Sequence, residues 1–560
     1  MKIYKLLFSL ILTVFAFACT NRFDEINVDP QVVTPDEASA KWFLTTTQAD
    51  LYGPGRYAYW RAQLIHADRY AGQFTFGSAG SWWSDELGYT YNGSYTDATW
   101  DWLENYYTGL DAYLLFTNVG GSLENDKMYA VGLIMKSLYY QLYTDTFGEI
   151  PYANTGVDEG TLPKFDTQHD IYAGIISDLD NAIAIIGDAT NTSDFPGDIN
   201  DLGKNDLFFG GDLQMWSKLA NSLKLRIAMR ARGASGDDFS SQAITSALAG
   251  NLLGEGENAL MQKDLVIDQF ESGSYGDIWH NFGGFGSKWN VSQDVIHYLR
   301  DFGNDPRLEV YAAPALGGDF NFTKGDDETA FNKRLAVITS ELDAAGAVYS
   351  ITDNGDNIDM SVEGGYYAGQ PVRLGSDIKA LARQEFFSYP ADIVINPKGG
   401  GAEEFPEVVF SAAEVYFLRA EAAVVGASGE NAQTMFETGI RQAMALWEVD
   451  GENYIATSPL ADITTGTVDE KLEKIAIQRW LAAYTDGFEA WSVVRDSGYP
   501  ASLAAGVSDA DIYGLGSING DYPQRMRYGN SAYNKNGDNL AEAISRQGPD
   551  AQNTKLWWAK

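Results

Sequence analysis

The sequence predicts a mainly α-helical protein: a scaffold of paired, tetratricopeptide-like helices carrying a loop-rich insert with short strands. Three observations predict it. Apolar residues recur at spacings of three and four through several long segments, as one face of a helix requires. Ser or Thr followed three residues later by Glu marks helix starts. Between roughly residues 250 and 405, Gly, Asp and Asn become dense and the helical patterns shorten.

Taken in order, the chain begins with Lys2 and Lys5 and then an almost unbroken apolar run from Leu6 to Ala18. That run is too short to span a bilayer and has the shape of a signal-peptide core. It ends at Ala16-Phe17-Ala18-Cys19, and Cys19 is the only cysteine of 560 residues, so no internal disulfide is available to it. The pattern resembles a bacterial lipobox, with Ala16 where Leu is usual. It predicts a signal peptide over 1–18 and lipidation of Cys19; the competing expectation is an ordinary secretory cleavage with Cys19 incidental. Acyl chains at about 0.8 kcal/mol per buried methylene would anchor the chain stably. Residues 19–33 are polar and aperiodic, as a tether should be.

From residue 34 to the end the chain reads as one unit, with helical scaffold over about 34–250 and 405–500 and the insert between. Thr34-Pro35-Asp36-Glu37 is a capping box with proline at the first helical position. Met128, Val131, Met135, Leu138 and Leu142 form one apolar stripe; Leu213, Trp216, Ala220, Leu223 and Ile227 form another. Ser411 and Glu414 make a second box, with Phe410 and Val415 placed as a hydrophobic staple, and Val415, Leu418, Ala422 and Val425 continue the stripe. Thr467 and Glu470 open the next helix, which runs through Leu472, Ile475 and Ala476. A tetratricopeptide repeat would be too degenerate here to establish from spacing alone.

Composition narrows function. The formal net charge is −38, a surface that repels polyanions and offers nucleic acid no counterion release. The expected ligand is therefore neutral, and nucleic acid is excluded as a partner. There is no Gly-x-Ser-x-Gly elbow, no His-Glu-x-x-His helix and no phosphate loop, so no catalytic residue is assigned. His66, His169, His280 and His297 read as structural or surface histidines. Carboxylate pairs about 5 to 9 Å apart, as a glycosidase needs, cannot be identified without coordinates. Asp353, Asp356 and Asp359 recur every third residue but not in EF-hand order, and read as a solvated acidic turn rather than a structural calcium site. No cofactor or metal is called for.

The informative residues are aromatics set in polar loops. Ser81-Trp82-Trp83-Ser84-Asp85-Glu86-Leu87-Gly88-Tyr89 lies between turn signals. Two adjacent tryptophans cannot both face one core from a strand or helix, so one at least is expected on display. A flat indole suits the C–H face of a pyranose, and neighbouring carboxylates and amides accept its hydroxyl hydrogen bonds. Trp279 and Trp289 flank the glycine-rich Asn281–Gly286 run and repeat the pattern. The expected ligand-binding set is thus Trp82, Trp83, Asp85, Tyr89, Trp279 and Trp289. Packing is the competing expectation for each, because tryptophan is highly buried on average.

A family resemblance emerges in the C-terminal third. The run Phe410-Ser411-Ala412-Ala413-Glu414-Val415-Tyr416-Phe417-Leu418-Arg419-Ala420-Glu421-Ala422 resembles a signature helix of the SusD/RagB family. Lys471–Ala482, Gly487-Phe488-Glu489-Ala490-Trp491 and Arg495-Asp496-Ser497-Gly498-Tyr499-Pro500 are similar to its later motifs, as are Tyr522–Tyr528 and Lys555-Leu556-Trp557-Trp558. Asp496 and Ser497 depart from the usual Arg and Thr. Cys19 followed by Phe23–Pro30 matches at the other end, so the resemblance spans essentially the whole chain. It implies a surface-exposed, lipid-anchored outer-membrane protein that captures an oligo- or polysaccharide, by the charge a neutral glucan, for a SusC-like TonB-dependent transporter. RagB-type relatives handle peptides, which leaves peptide capture as the alternative, with a surface glycoside hydrolase behind it. The motifs are structural, so the resemblance carries no ligand-binding residue over.

Overall fold

The computed structural model describes residues 38–54, 58–77, 89–153, 155, 162–195, 197–261, 289–395 and 406–559. The lipobox, the tether and the Thr34–Glu37 cap lie outside them. Twelve of the helices organise the molecule: α1 (Lys41–Tyr52), α2 (Gly93–Thr117), α3 (Asp126–Phe147), α4 (Gln168–Ile186), α5 (Leu213–Ala231), α6 (Ser240–Ala249), α7 (Glu328–Ala344), α8 (Ala412–Val424), α9 (Ala432–Leu446), α10 (Val468–Ala482), α11 (Gly487–Ser497) and α12 (Asn530–Gln547). The protein is mainly helical, and its helices pair as hairpins.

Local chemistry explains the helix starts. Asn125 accepts the Met128 N–H at the head of α3, and Asp212 accepts those of Gln214 and Met215 at the head of α5. Thr467 and Glu470 form the reciprocal capping box the spacing predicts for α10. At α8 only half of the predicted box forms. Ser411 accepts the Glu414 N–H at 3.2 Å, but the Glu414 carboxylate turns instead to Arg226. Consecutive helices α1 to α6 pack pairwise, α8 packs on α9 and α10, and α10 packs on α11. Contact between α5 and α8 joins the two halves. Apart from the half-buried Leu142, the predicted stripes of α3 and α5 are buried, yet these helices bury far more than a stripe: from Ala130 to Met135 every α3 residue is buried. They are central rods of the scaffold.

The insert is more regular than its composition suggests. Besides α7 it holds a three-stranded antiparallel sheet of Gly318–Thr323, Asn357–Val362 and Tyr349–Asp353, in that order. Alternation puts Ile358, Met360 and Val362 on one face, where they join Phe322, Phe331, Ile338 and Leu342 in a core of their own. The acidic turn is the hairpin between Tyr349–Asp353 and Asn357–Val362. Asp353 pairs with Lys324 at 2.7 Å, and Asp359 accepts from Asn321 and Asn354.

An ionic hub ties the scaffold halves together. Arg226 and Arg230 from α5, Glu414 from α8, Arg479 from α10 and Glu489 from α11 meet Asp145 of α3, all buried. Arg230 bridges Asp145 and Glu489, each at 2.5 Å; Arg479 reaches Glu489 at 3.0 Å; Arg226 binds Glu414 at 2.6 Å. Trp558 donates its indole N–H to Asp145 at 2.9 Å, and Arg495 lies 3.7 Å from the Trp491 ring centroid. Burial alone would push Glu489 up, but Arg226, Arg230 and Arg479 hold it down at about 2. Asp486, which caps α11 through the Glu489 N–H, is less well escorted, Arg226 being the one arginine that opposes its burial. Burial and the Glu489 charge push it up to about 7.

Candidate ligand-binding face

Two short strands frame the face. The Phe74-Thr75-Phe76 segment pairs antiparallel with Trp289-Asn290-Val291, in the register Phe74↔Val291, Thr75↔Asn290, Phe76↔Trp289. Neither strand could hold alone at three residues, so side chains weld the ribbon to the insert. Asn290 donates from Nδ2 to the carbonyls of Gln384, Phe387 and Ser388, each at 3.2 Å. Gln370 donates from Nε2 to Thr75 Oγ1 and the Phe76 carbonyl, both at 3.2 Å. Phe76 and Trp289 meet edge to face, ring centroids 5.3 Å apart. Gly77 then lets the chain leave the ribbon: a Cβ there would sit 2.5 Å from Asn290 Oδ1 and 2.6 Å from Gln384 Cγ.

The first aromatic segment returns to the described structure at Tyr89, in the left-handed region at φ 59°. Its hydroxyl donates to the Arg69 carbonyl at 2.8 Å, and its ring lies between two guanidinium groups, Arg69 at 5.3 Å and Arg373 at 4.4 Å. Arg373 is itself left-handed, at φ 62°. It donates to the Gly520 and Asp521 carbonyls, and burial holds its pKa below the usual arginine value. This buried clamp fixes the far end of the segment.

Two of the six predicted ligand residues therefore change role. Trp289 is 1% exposed and Tyr89 3%. The first packs in the ribbon and the second is locked in the clamp, so neither ring presents a face to a ligand. Trp82, Trp83, Asp85 and Trp279 lie outside the described residues. What the structure adds is where their segments are held: one leaves the ribbon after Phe76 and the other enters it at Trp289, and those two residues are register partners. Sequence reasoning missed Arg69, Arg373, Asn290 and Gln370, whose roles rest on contacts between 20 and 295 residues apart and leave no local signal.

Elsewhere, a concavity of about 720 Å³ opens between α2, α3 and α12, lined by Tyr107, Tyr139, Tyr140, Tyr143, Leu162 and Lys535. Tyr139, Tyr140 and Tyr143 are buried, so little of their ring area is open to a ligand. Among the described residues no three His, Cys, Asp or Glu side chains converge as a metal site, and no helix is long and apolar enough to cross a membrane.

The profile of a SusD-like family, described as starch-binding and associating with the outer membrane, matches residues 39–529. The chain belongs to this SusD-like family. Among solved structures, the SusD-like chain is similar to a chitin-binding protein at 24% identity and TM-score 0.69, covering 93% of this chain and 100% of that one. It is similar to a SusD-like protein from Bacteroides thetaiotaomicron at 23% identity and TM-score 0.68, covering 93% and 98%. A chitin-binding SusD homologue from Flavobacterium johnsoniae follows at 21% identity and TM-score 0.68, with the same coverage. These likenesses show the fold. Among curated proteins none matches the sequence.

Proposed function

We propose that this SusD-like protein is a surface lipoprotein, anchored through Cys19, that captures a neutral oligo- or polysaccharide for a SusC-like TonB-dependent transporter without hydrolysing it. One observation carries the ligand reading: the two tryptophan-bearing segments begin and end at partners in one ribbon. Trp83 lies seven residues beyond Phe76 and Trp279 ten before Trp289. At about 3.6 Å per residue, both are tethered within roughly 25 and 36 Å of the same point. Indoles from two segments could then flank one sugar chain, with Trp82, Trp83 and Trp279 as platforms and Asp85 accepting hydroxyl hydrogen bonds.

The family description, and the chitin named for two of the similar structures, support a glycan. The net charge of −38 supports a neutral one, glucan and chitin both qualifying. Affinity electrophoresis of the chain from Thr20 onward, through gels containing starch, other glucans, soluble chitin fragments or peptides, tests this. Retardation by a neutral glycan without its breakdown, little changed between 50 and 500 mM salt, is the expected result. Retardation by peptide alone would move the protein to the RagB-like reading, and release of sugar would make it a hydrolase. In cells, Cys19→Ala should leave the protein in the soluble fraction, and membrane retention of that variant would refute the anchor.

A further inference from the structure

Large apolar side chains stand in solvent close to where the described chain begins. Trp42 is 46% exposed, Phe43 39%, Leu115 64%, Val119 84% and Phe195 72%. Contacts bring their segments together. Phe43 near the start of α1 meets Phe116 near the end of α2, ring centroids 5.4 Å apart, which brings the segment bearing Trp42 to the segment bearing Leu115 and Val119. The loop bearing Phe195 is tied to the same corner. Ser39 donates to Asn200 Oδ1 at 3.2 Å, Lys41 Nζ to the Asp201 carbonyl at 3.1 Å, and Asn125 to the Thr192 carbonyl at 3.0 Å. Asn125 in turn donates its N–H to Thr117 at the end of α2, at 2.9 Å.

Isolated exposed apolar residues need no explanation, but a grouped set rich in Trp and Phe marks an interaction surface. The position of the chain outside the structure says what it meets. Cys19 precedes the first described residue by nineteen positions, a span of at most about 68 Å, and Trp42 follows that residue by only four. We infer that this corner rests on the lipid surface that holds the anchor, its indole and phenyl rings entering the headgroup layer as interfacial aromatics do. The inference rests on the Cys19 anchor of the proposed function. Glu124, Asp194 and Asp198 lie within five residues of Val119 or Phe195 in the chain, against the single cation Lys41 next to Trp42, so the patch fits a zwitterionic surface better than an anionic one.

The test uses the chain from Thr20 onward, which contains the whole described fold and carries no lipid, so a missing anchor cannot disguise the result. Having no cysteine, it accepts a single label: Val119→Cys with an environment-sensitive dye, and Val468→Cys, 51% exposed outside the patch, as reference. With phosphatidylcholine vesicles the dye at 119 should shift to the blue and that at 468 should not. Replacing a third of the lipid with phosphatidylglycerol should weaken the response. Adding Trp42→Ser and Phe195→Ser should weaken partition at least fivefold with the melting temperature unchanged, since both side chains are exposed. No shift at 119, or an equal shift at 468, would overturn the inference and leave the patch to a protein partner.

Discussion

Glu489 and Trp289 stand at the centres of two differently built regions. Around Glu489, three arginines and three carboxylates from five helices lock into one another in the buried middle of the scaffold. Around Trp289, a ribbon of two three-residue strands is pinned by side-chain amides from the insert, and two tryptophan-bearing segments depart from it. The first region uses charge to join helices. The second uses neutral amides and apolar contacts to fix where the two segments start and finish. The recognisable helix motifs of the C-terminal third fall in the first region, and the segments bearing the residues proposed to meet a ligand depart from the second.

The comparison breaks most visibly at the hub. Glu489→Ala leaves Arg230, Arg226 and Arg479 short of a buried partner and should cost about 3–5 kcal/mol, read by denaturant unfolding. The folded fraction should bind glycan as before. A loss of binding at full stability would mean the hub is part of the ligand site.

Asp486 sharpens the same contrast through pH. Its folded pKa of about 7 lies above the unfolded value of about 3.9, so the stability it contributes is complete below about pH 4 and is lost as pH rises to 7. Asp486→Asn keeps an acceptor for the Glu489 N–H and removes this dependence. Between pH 5 and pH 8 the unfolding free energy of the variant relative to wild type should rise by about 3 kcal/mol. A difference that stays flat would place the charge of Asp486 on a protein or solvent partner.

How much of this was legible follows from how local each signal is. The stripes of α3 and α5 and the Thr467–Glu470 box lie within one or two turns, and they are present as read. The Ser411–Glu414 box fails in its second half because Arg226, 188 residues away, offers Glu414 a charge that the Ser411 N–H cannot match. The insert reads as loop because the glycines and aspartates of its turns mask α7, which buries only Phe331, Ile338 and Leu342. Yet the alternation of Ile358, Met360 and Val362 was available to be seen. Nothing local predicts that Phe76 pairs with Trp289, and without that pairing Trp289 cannot be told from a displayed indole.

A gentler break lies at Gly77. Gly77→Ala pushes a methyl against Asn290 and Gln384, and Asn290 is held by three carbonyls and cannot swing away freely. The expected cost is about 1–3 kcal/mol of stability, with weaker glycan binding because the exit of the first segment moves. Full stability together with full affinity would show that the ribbon does not position that segment.

The smallest effect bears most directly on function. Trp82→Ala or Trp83→Ala should weaken glycan binding severalfold, about 1 kcal/mol, since one aromatic face contributes on that scale. The melting temperature should stay within a few degrees, because the ribbon and the Tyr89 clamp that hold both ends of the segment remain intact. Trp289→Ala supplies the contrast: it empties a buried site and should lower stability by about 3–5 kcal/mol, with any binding defect following from the disturbed ribbon. If the Trp82 and Trp83 variants behave like Trp289→Ala, losing stability without a separate loss of affinity, those indoles are core. The segments leaving the ribbon would then need another means of holding a sugar.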